Sequence, residues 1–222
     1  MHHLAAILFI DIVGYTALMG KSEDNALRAV KTLNDISKPL AKAHGGTWHK
    51  DLGDGTLFSF GSAIEAVKCA IAIQKQINTG EEFKVRIGIH MGDINFEGAD
   101  VFGDGVNIAS RIQGEAAVGG IAISDTIHRN IQNKKDITTL RIGKRKLKNV
   151  AGEIQLFQIS APGVEIVTPE SRTKKITPIA LVILAIAIGY LLNELVSSFK
   201  KPVLTESHVK RYSIPLPADL PM

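Results

Sequence analysis

The sequence predicts an α+β or α/β domain over residues 1–160, followed by an apolar segment long enough to cross a membrane. Strand-like and helix-like patterns alternate along residues 1–160, with hairpins between them. Apolar residues make up 45% of the 222 residues and charged residues 22%, enough apolar side chains for a packed core. A run of 17 residues without a charge extends from Ile176 to Leu192.

The domain opens with seven apolar residues, Leu4 to Ile10, which predict a buried strand that stops at Asp11. Ser22 is a suitable N-cap for the helix pattern that follows, and that pattern ends near Ala43 at a pair of glycines. The next run, residues 47–60, predicts a hairpin that turns at Gly53-Asp54-Gly55.

Ser62 and Glu65 have capping-box spacing and predict the start of a second long helix. The single cysteine, Cys69, falls on the apolar stripe of this helix, which favours core packing over catalysis. One cysteine also excludes an internal disulfide, a tetrathiolate zinc site and an iron–sulfur cluster. The remaining predicted elements are a strand at 85–90, a helix at 105–115, a strand at 121–124, a helix at 125–132, and strands near 144–147 and 155–160.

The net charge of +4 lies mostly in the tail, because residues 1–168 carry 19 Lys and Arg against 18 Asp and Glu. This distribution, and an aromatic content of 5%, favour a membrane over a nucleic acid as the partner. A short basic run from Arg141 to Lys148 is either a solvated strand edge or the position of one phosphate-binding lysine.

Residues 161–175 contain proline, glycine and a charged cluster and predict a linker. The 24 residues of 176–199 predict one transmembrane helix of about 36 Å, rather than a buried soluble helix, because Ala180–Leu192 is apolar on every face. Residues 200–222 predict a short proline-rich tail, and their ending resembles the entry to a further domain of a longer receptor-like protein.

Two acids follow neighbouring apolar segments: Asp11 after the first strand, and Asp54 in the hairpin turn. Two carboxylates at one place repel each other unless a cation joins them, and oxygen ligands suit Mg²⁺ or Mn²⁺. The plain alternative is a strand-end cap and an ordinary turn. Asn107 and Arg111, spaced i and i+4, share one face of a predicted helix, and the arginine suits phosphoryl oxygens.

Three motifs together resemble the catalytic domain of class III adenylate/guanylate cyclases: residues 9–16 (FIDIVGYT), 50–55 (KDLGDG) and 100–111 (DVFGDGVNIASR). The resemblance covers residues 4–160 and implies a ferredoxin-like, palm-type βαββαβ core. It implies that Asp11, Asp54 and the backbone of Ile12 hold two Mg²⁺ or Mn²⁺ ions.

The same resemblance assigns the substrate contacts. The amides of Val13, Gly14, Tyr15 and Thr16 would bind phosphates, Asn107 would orient the ribose, and Arg111 would stabilise the charged phosphorus. A triphosphate-binding lysine would be Lys148, with Lys146 as the alternative.

The base-reading pair of the family falls on Lys50 and Asp100, where adenylate cyclases carry Lys and Asp or Thr and guanylate cyclases usually carry Glu and Cys. A lysine donor and a carboxylate acceptor match the adenine edge and mismatch guanine. The resemblance therefore implies conversion of ATP to 3′,5′-cyclic AMP and pyrophosphate. The alternatives are a guanylate cyclase, a catalytically silent nucleotide-binding module, and a membrane-anchored scaffold.

The family forms its active site between two catalytic domains. Because this chain carries every element, a head-to-tail homodimer with two equivalent sites is implied. Residues 176–199 predict a single-pass membrane protein. ATP as the implied substrate and a reduced Cys69 predict that its catalytic domain is cytoplasmic.

Overall fold

A computed structural model describes residues 2–97 and 100–164 of the chain, all within one compact unit, Met1–Ser171. Its strands are β1 (His2–Ile12), β2 (Gly46–Leu52), β3 (Gly55–Phe60), β4 (Val85–Glu97), β5 (Asp100–Phe102), β6 (Ile121–Ser124), β7 (Thr138–Arg145) and β8 (Ile154–Ser160). Its helices are α1 (Tyr15–Lys21), α2 (Glu23–Ala43), α3 (Ala63–Gly80), α4 (Asp104–Glu115) and α5 (Asp125–Ile131).

One sheet contains all eight strands in the order β2-β3-β1-β4-β6-β8-β7, with β5 paired to β4. β1 is antiparallel to both of its neighbours, β3 and β4, and β2 is antiparallel to β3. The order β2-β3-β1-β4, with helices after β1 and after β3, is the βαββαβ ferredoxin-like arrangement that we expected. β6 joins β4 in parallel and extends the sheet to β8 and β7.

Side chains that alternate along β1 enter two different cores. Ile10 and Ile12 lie in the larger core, which α2, α3 and α5 cover, whereas Ile7 lies in a smaller core with Ala109 of α4. By this alternation Asp11 is on the α4 face of the sheet. Cys69 is fully buried in the larger core and burial raises the pKa of its thiol to about 12, which confirms its packing role.

Three glycines allow α4 to lie directly on the sheet. A Cβ on Gly88 of β4 would meet the backbone of Gln113 and the Ala109 carbonyl oxygen, the latter at 2.7 Å. Gly92 of β4 and Gly105 of α4 face each other just as closely, since a Cβ on Gly92 would lie 2.9 Å from the Gly105 Cα. The backbones of strand and helix are therefore in contact without intervening side chains.

Replacing Gly88 with alanine is expected to destabilise the domain by roughly 1–3 kcal/mol, because the new methyl group must push α4 away from β4. Urea unfolding followed by circular dichroism measures the change. Gly114→Ala is the matched control, since Gly114 is exposed on the same helix with open space around it; it should be neutral or stabilising by up to about 1 kcal/mol. Equal stability of the Gly88 variant and the wild type would contradict the conclusion that α4 packs directly on β4 at Gly88.

The structure departs from several local expectations. The capping box is wrong: Ser62 makes no side-chain cap hydrogen bond, and Glu65 instead pairs with His44 (3.0 Å) and Lys68 (2.9 Å). A helix before Ser22, α1, was not expected, and β4 continues well past residue 90.

Of the predictions for residues 161–222, only those for residues 161–164 fall within the described part of the chain. Residues 161–164 form a bridge between Ala161 and Val164, and Val164 is buried in the larger core. The rest of the predicted linker, the predicted transmembrane helix (176–199) and the tail (200–222) lie outside the described residues. Within residues 2–97 and 100–164, no helix has the length and apolar character needed to span a bilayer.

Candidate active site

Asp11 and Asp54 meet where β1 runs beside the β2–β3 turn. Asp11 is paired with Gly55, the residue after Asp54, and the N–H of Ile12 donates to the Asp54 carbonyl oxygen (3.2 Å). A side chain on Gly55 would lie 2.7 Å from the Ile10 carbonyl and 3.3 Å from Asp11 Oδ1. Glycine at 55 therefore keeps the space beside the carboxylate clear.

Asp54 perturbs the ionisation of Asp11. Burial and then the charge and hydrogen bonding of Asp54 raise the pKa of Asp11 from its ordinary value of 3.8 to about 6. The Nε2 of Gln113 on α4, which donates to Asp11 Oδ2 (3.4 Å), and the charge of Arg86 partly offset this rise. A carboxylate pair held together against its own repulsion fits a divalent cation bound through oxygen ligands.

In the described part of the chain, no group of three or more His, Cys, Asp and Glu side chains is placed to hold a metal ion. Any cation at this site would therefore have two carboxylates as its side-chain ligands. This set suits Mg²⁺, which commonly takes one or two carboxylates and completes its shell with backbone oxygen, water and substrate phosphates.

The loop after β1 turns sharply into α1. Gly14 has a φ of 72°, a left-handed conformation that favours glycine, and its carbonyl accepts from the N–H of Leu18 (3.0 Å). The N–H of Val13 already donates to the carbonyl of Lys84 (2.8 Å). Of the four amides expected to bind phosphates, those of Gly14, Tyr15 and Thr16 lie in the turn and the first turn of α1.

Asn107 and Arg111 are both exposed on α4, on the face turned away from the sheet. Gln113, which contacts Asp11, follows Arg111 by two residues, or about 200° around the helix. Arg111 makes no hydrogen bond or ion pair within the described residues. The helix thus presents its amide and guanidinium groups away from the carboxylate pair of the same chain.

Lys50 lies on β2 and Asp100 on β5, two strands that are not paired in the sheet but come close to each other. The Nζ of Lys50 lies 5.5 Å from the ring centroid of Phe102, two residues after Asp100. The Asp100 side chain lies outside the described part of the structure. The strands therefore bring the two positions into one region of the molecule.

The two candidate phosphate lysines, Lys146 and Lys148, are both exposed and follow β7. Between them, Leu147 is buried against Ile108 and Ile112 of α4. Both lysines therefore flank a residue that packs on the helix carrying Arg111, and the choice of Lys148 over Lys146 stays a prediction.

Sequence reasoning missed two residues that touch the predicted ones. Gln113 contacts Asp11 across more than 100 residues of sequence, and no local pattern signals it. Asp51, next to Lys50, has polar contacts with α2 and with its own hairpin. The only signal in the sequence was that Asp51, an acidic residue, directly follows Lys50.

The sequence matches the model of the adenylate and guanylate cyclase catalytic domain over residues 1–161. The chain belongs to this family. A relative described as putative adenylate cyclase 3, from Rhizobium meliloti (strain 1021), is 38% identical over 162 residues, which cover 69% of this chain and 28% of the relative. An adenylate cyclase from Streptomyces coelicolor is 29% identical over 133 residues, covering 59% of this chain and 35% of the relative. The cyclase chain thus spans about a third of the length of these relatives.

Solved structures of the family share the fold of the cyclase chain. The adenylate/guanylate cyclase/hydrolase from Silicibacter pomeroyi superposes with a TM-score of 0.67 at 34% identity, over 71% of this chain and 96% of that one. The guanylate cyclase domain of RhGC from Catenaria anguillulae, in complex with GTP, gives a TM-score of 0.64 at 25% identity, over 72% and 98%. The similar proteins thus include cyclases described as acting on either nucleotide.

Proposed function

We propose that this cyclase is an adenylate cyclase that converts ATP to 3′,5′-cyclic AMP and pyrophosphate. The observation that carries the choice of ATP is the position of Lys50, whose ammonium group lies against the strand that begins with Asp100. A lysine donor and a carboxylate acceptor pair with N1 and the 6-amino group of adenine. The same groups oppose the N1–H and O6 of guanine.

In the proposed reaction the 3′-oxygen of ATP bonds to the α-phosphorus, while the bond from that phosphorus to the bridging oxygen breaks. Pyrophosphate leaves with that oxygen, and the hydroxyl proton passes to solvent. Asn107 would hold the ribose so that the 3′-oxygen lies in line with the leaving group. Arg111 would stabilise the negative charge that develops on the phosphorus oxygens. The amides of Gly14, Tyr15 and Thr16, with Lys148 or Lys146, would bind the triphosphate.

Class III cyclases use divalent metal ions, and the residues of this chain fit them. Asp11, Asp54 and the carbonyl of Ile12 would hold two Mg²⁺ or Mn²⁺ ions. When bound, these ions neutralise the triphosphate and lower the pKa of the 3′-hydroxyl. The oxygen-only ligand set and the raised pKa of Asp11 support this assignment.

The proposed active form is a head-to-tail homodimer with two shared sites. The proposal is supported by the directions of two side chains on α4. Gln113 contacts Asp11 of the same chain, whereas Arg111 points to the opposite side of the helix. A second copy can present its Arg111 and Asn107 to the carboxylates of the first. Two such contacts related by a two-fold axis satisfy both chains.

We also propose, from the sequence, that residues 176–199 anchor the protein in a membrane with the catalytic domain in the cytoplasm. This segment lies outside the described residues. Protease added to intact cells should remove only residues after Phe199. Digestion of the catalytic domain under these conditions would contradict the proposed orientation.

The direct test is turnover by the purified protein with ATP and with GTP, each in Mn²⁺ and in Mg²⁺. We expect ATP to be preferred by roughly ten- to a hundredfold in kcat/KM, because a mismatched buried donor or acceptor costs about 1–3 kcal/mol. The paired change Lys50→Glu with Asp100→Cys should reverse the preference. Equal use of both nucleotides by the wild type would contradict the adenylate assignment, and turnover of GTP alone would establish the guanylate alternative.

A further inference from the structure

A polar cluster surrounds Asp51, the residue that follows Lys50 on β2. Its Oδ2 accepts from the Nζ of Lys38 on α2 (3.0 Å), and its Oδ1 accepts from Nε1 of Trp48 (3.1 Å) and Oγ1 of Thr56 (3.2 Å). The Nδ2 of Asn34, one turn before Lys38 on α2, also points to Oδ2 at 3.4 Å. One carboxylate thus joins β2, β3 and α2.

The strand register sends Asp51 and Lys50 to opposite faces of the sheet. Asp51 is paired with Thr56, whose Oγ1 also lies 3.2 Å from Oδ1 of Asn34 on α2. Lys50 is paired with Leu57, which is buried in the smaller core on the α4 face. When Asp51 is fixed on the α2 side, Lys50 therefore projects to the α4 side, where its Nζ approaches Phe102.

The strand that carries Lys50 has a backbone partner on one side only. β2 is at the edge of the sheet and pairs only with β3 along the strand order. Its register shifts between Trp48 and Lys50, so His49 forms a bulge directly before the lysine. A bulge lets an edge strand bend and re-aim its side chains. The contact of Asp51 with Lys38 on α2 adds a second support to this part of the strand, directly beside Lys50.

Charge strengthens the contact with α2. Burial opposes ionisation of Asp51, but the hydrogen bonds from Lys38 and Trp48 outweigh it and hold the pKa of this carboxyl below its usual range. The same Lys38 ammonium lies 4.2 Å from the ring centroid of Trp48. Lys38 therefore binds the carboxylate and the indole at once, and it clamps the strand on both sides of the bulge.

We propose that Asp51 is a positioning residue that sets nucleotide selectivity by holding Lys50 in its base-reading position. The proposal rests on the proposed function, in which Lys50 contacts adenine. Asp51 acts through its neighbour and faces away from the nucleotide. Loss of its carboxylate frees the bulged edge strand from α2, so Lys50 keeps its charge but loses its fixed direction.

The test compares Asp51→Ala with Asp125→Ala, a control that removes a carboxylate with a similar exposed ion pair, to Arg129 (3.1 Å), on α5. We expect Asp51→Ala to lower the ATP/GTP ratio of kcat/KM about tenfold, mainly through a higher KM for ATP. The kcat at saturating ATP should stay within about threefold of wild type. The control should leave the ratio unchanged, and Lys38→Met should reproduce the Asp51 effect.

Two results separate positioning from general stabilisation of the fold. In a Lys50→Ala background, Asp51→Ala should produce no further loss of selectivity, whereas a purely structural role would lower turnover with both nucleotides equally. Calorimetric titration with the α,β-methylene analogues of ATP and GTP measures the same preference without turnover. We expect the ratio of the two Kd values to fall with the ratio of kcat/KM.

The outcomes distinguish this proposal from the proposed function. An unchanged preference in Asp51→Ala, with a wild type that turns over ATP, would overturn the positioning role and leave the adenylate cyclase assignment intact. A wild type that binds the ATP analogue selectively without turnover would contradict the activity, and loss of that selectivity in Asp51→Ala would still support positioning. A wild type with no preference in either assay would overturn both.

Discussion

Replacing Asp11 or Asp54 with asparagine is expected to lower cyclic nucleotide production by roughly 10³-fold or more, equivalent to about 4 kcal/mol of transition-state stabilisation. The fold brings the two carboxylates together at this turn, and an amide cannot replace the negative charge that attracts a divalent cation. Initial rates in saturating Mn²⁺ measure the loss.

Thermal unfolding in EDTA is the control for this result. The folded-state pKa of Asp11, about 6, lies above its ordinary value of 3.8, so the folded chain binds this proton more tightly than the unfolded chain does. The charged pair therefore reduces stability as pH rises through that window and remains unfavourable at neutral pH. Asp11→Asn should consequently melt at the wild-type temperature or above. Wild-type turnover by either asparagine variant would remove the metal-site assignment.

Mixing two inactive variants, Asp54→Ala and Arg111→Ala, is expected to restore activity. If the site is shared, each mixed dimer contains one site with both mutations and one site with neither. Random pairing makes half of the dimers mixed, so about a quarter of the wild-type rate should return. Each variant alone should stay at background, and the rate is measured after co-expression or after reversible dissociation of the mixed chains.

A mixture of Asp54→Ala with Asp11→Ala is the matched negative control. Both changes fall on the carboxylate half, so every site in that mixed dimer is damaged and activity should not return. Differently tagged chains and tandem purification establish that mixed dimers form. Mixed dimers of Asp54→Ala with Arg111→Ala that remain inactive would rule out a shared site.

Most of the element order could be predicted because apolar periodicity reports directly on the faces that a strand or helix buries. The hairpin was predicted from Gly53-Asp54-Gly55, and its two-residue turn lies where expected. The start of α2 was predicted from Ser22, whose side chain accepts from the Asn25 N–H (3.3 Å). In each case a residue acts on neighbours a few positions away, so the sequence contains the whole interaction.

The misses involve partners that are distant in sequence. The capping box failed because His44, at the end of α2, binds the Glu65 carboxylate that was expected to cap α3. The predicted strand at 85–90 was too short because Gly92 interrupts the alternation of apolar residues in β4. Glycine is needed at this position because Gly105 of α4 approaches it closely. Helix α1 has no buried residue, so no apolar stripe announces it.

In the candidate site, too, local contacts could be predicted and contacts between distant parts of the sequence could not. Asp11 and Asp54 could be placed together from a strand end and a turn, because β1 and β3 are neighbours in the sheet. The contact of Gln113 with Asp11 and the contact of Lys38 with Asp51 depend on how α4 and α2 pack on that sheet. Motif matching finds residues that stand in a local pattern, and it passes over contact partners that are distant in the sequence.

The glycines that seat α4 on β4 leave this helix little room to tilt or slide within its own chain. Arg111 therefore keeps a fixed position relative to the sheet that carries Asp11, and the domain formed by the described residues behaves as a single rigid part. If two chains build each site, the distance from one chain's arginine to the other's carboxylates is set by the angle between two rigid parts. A regulatory signal would then need only to rotate one catalytic domain against its partner, and a few degrees at the interface would assemble or dismantle both sites together.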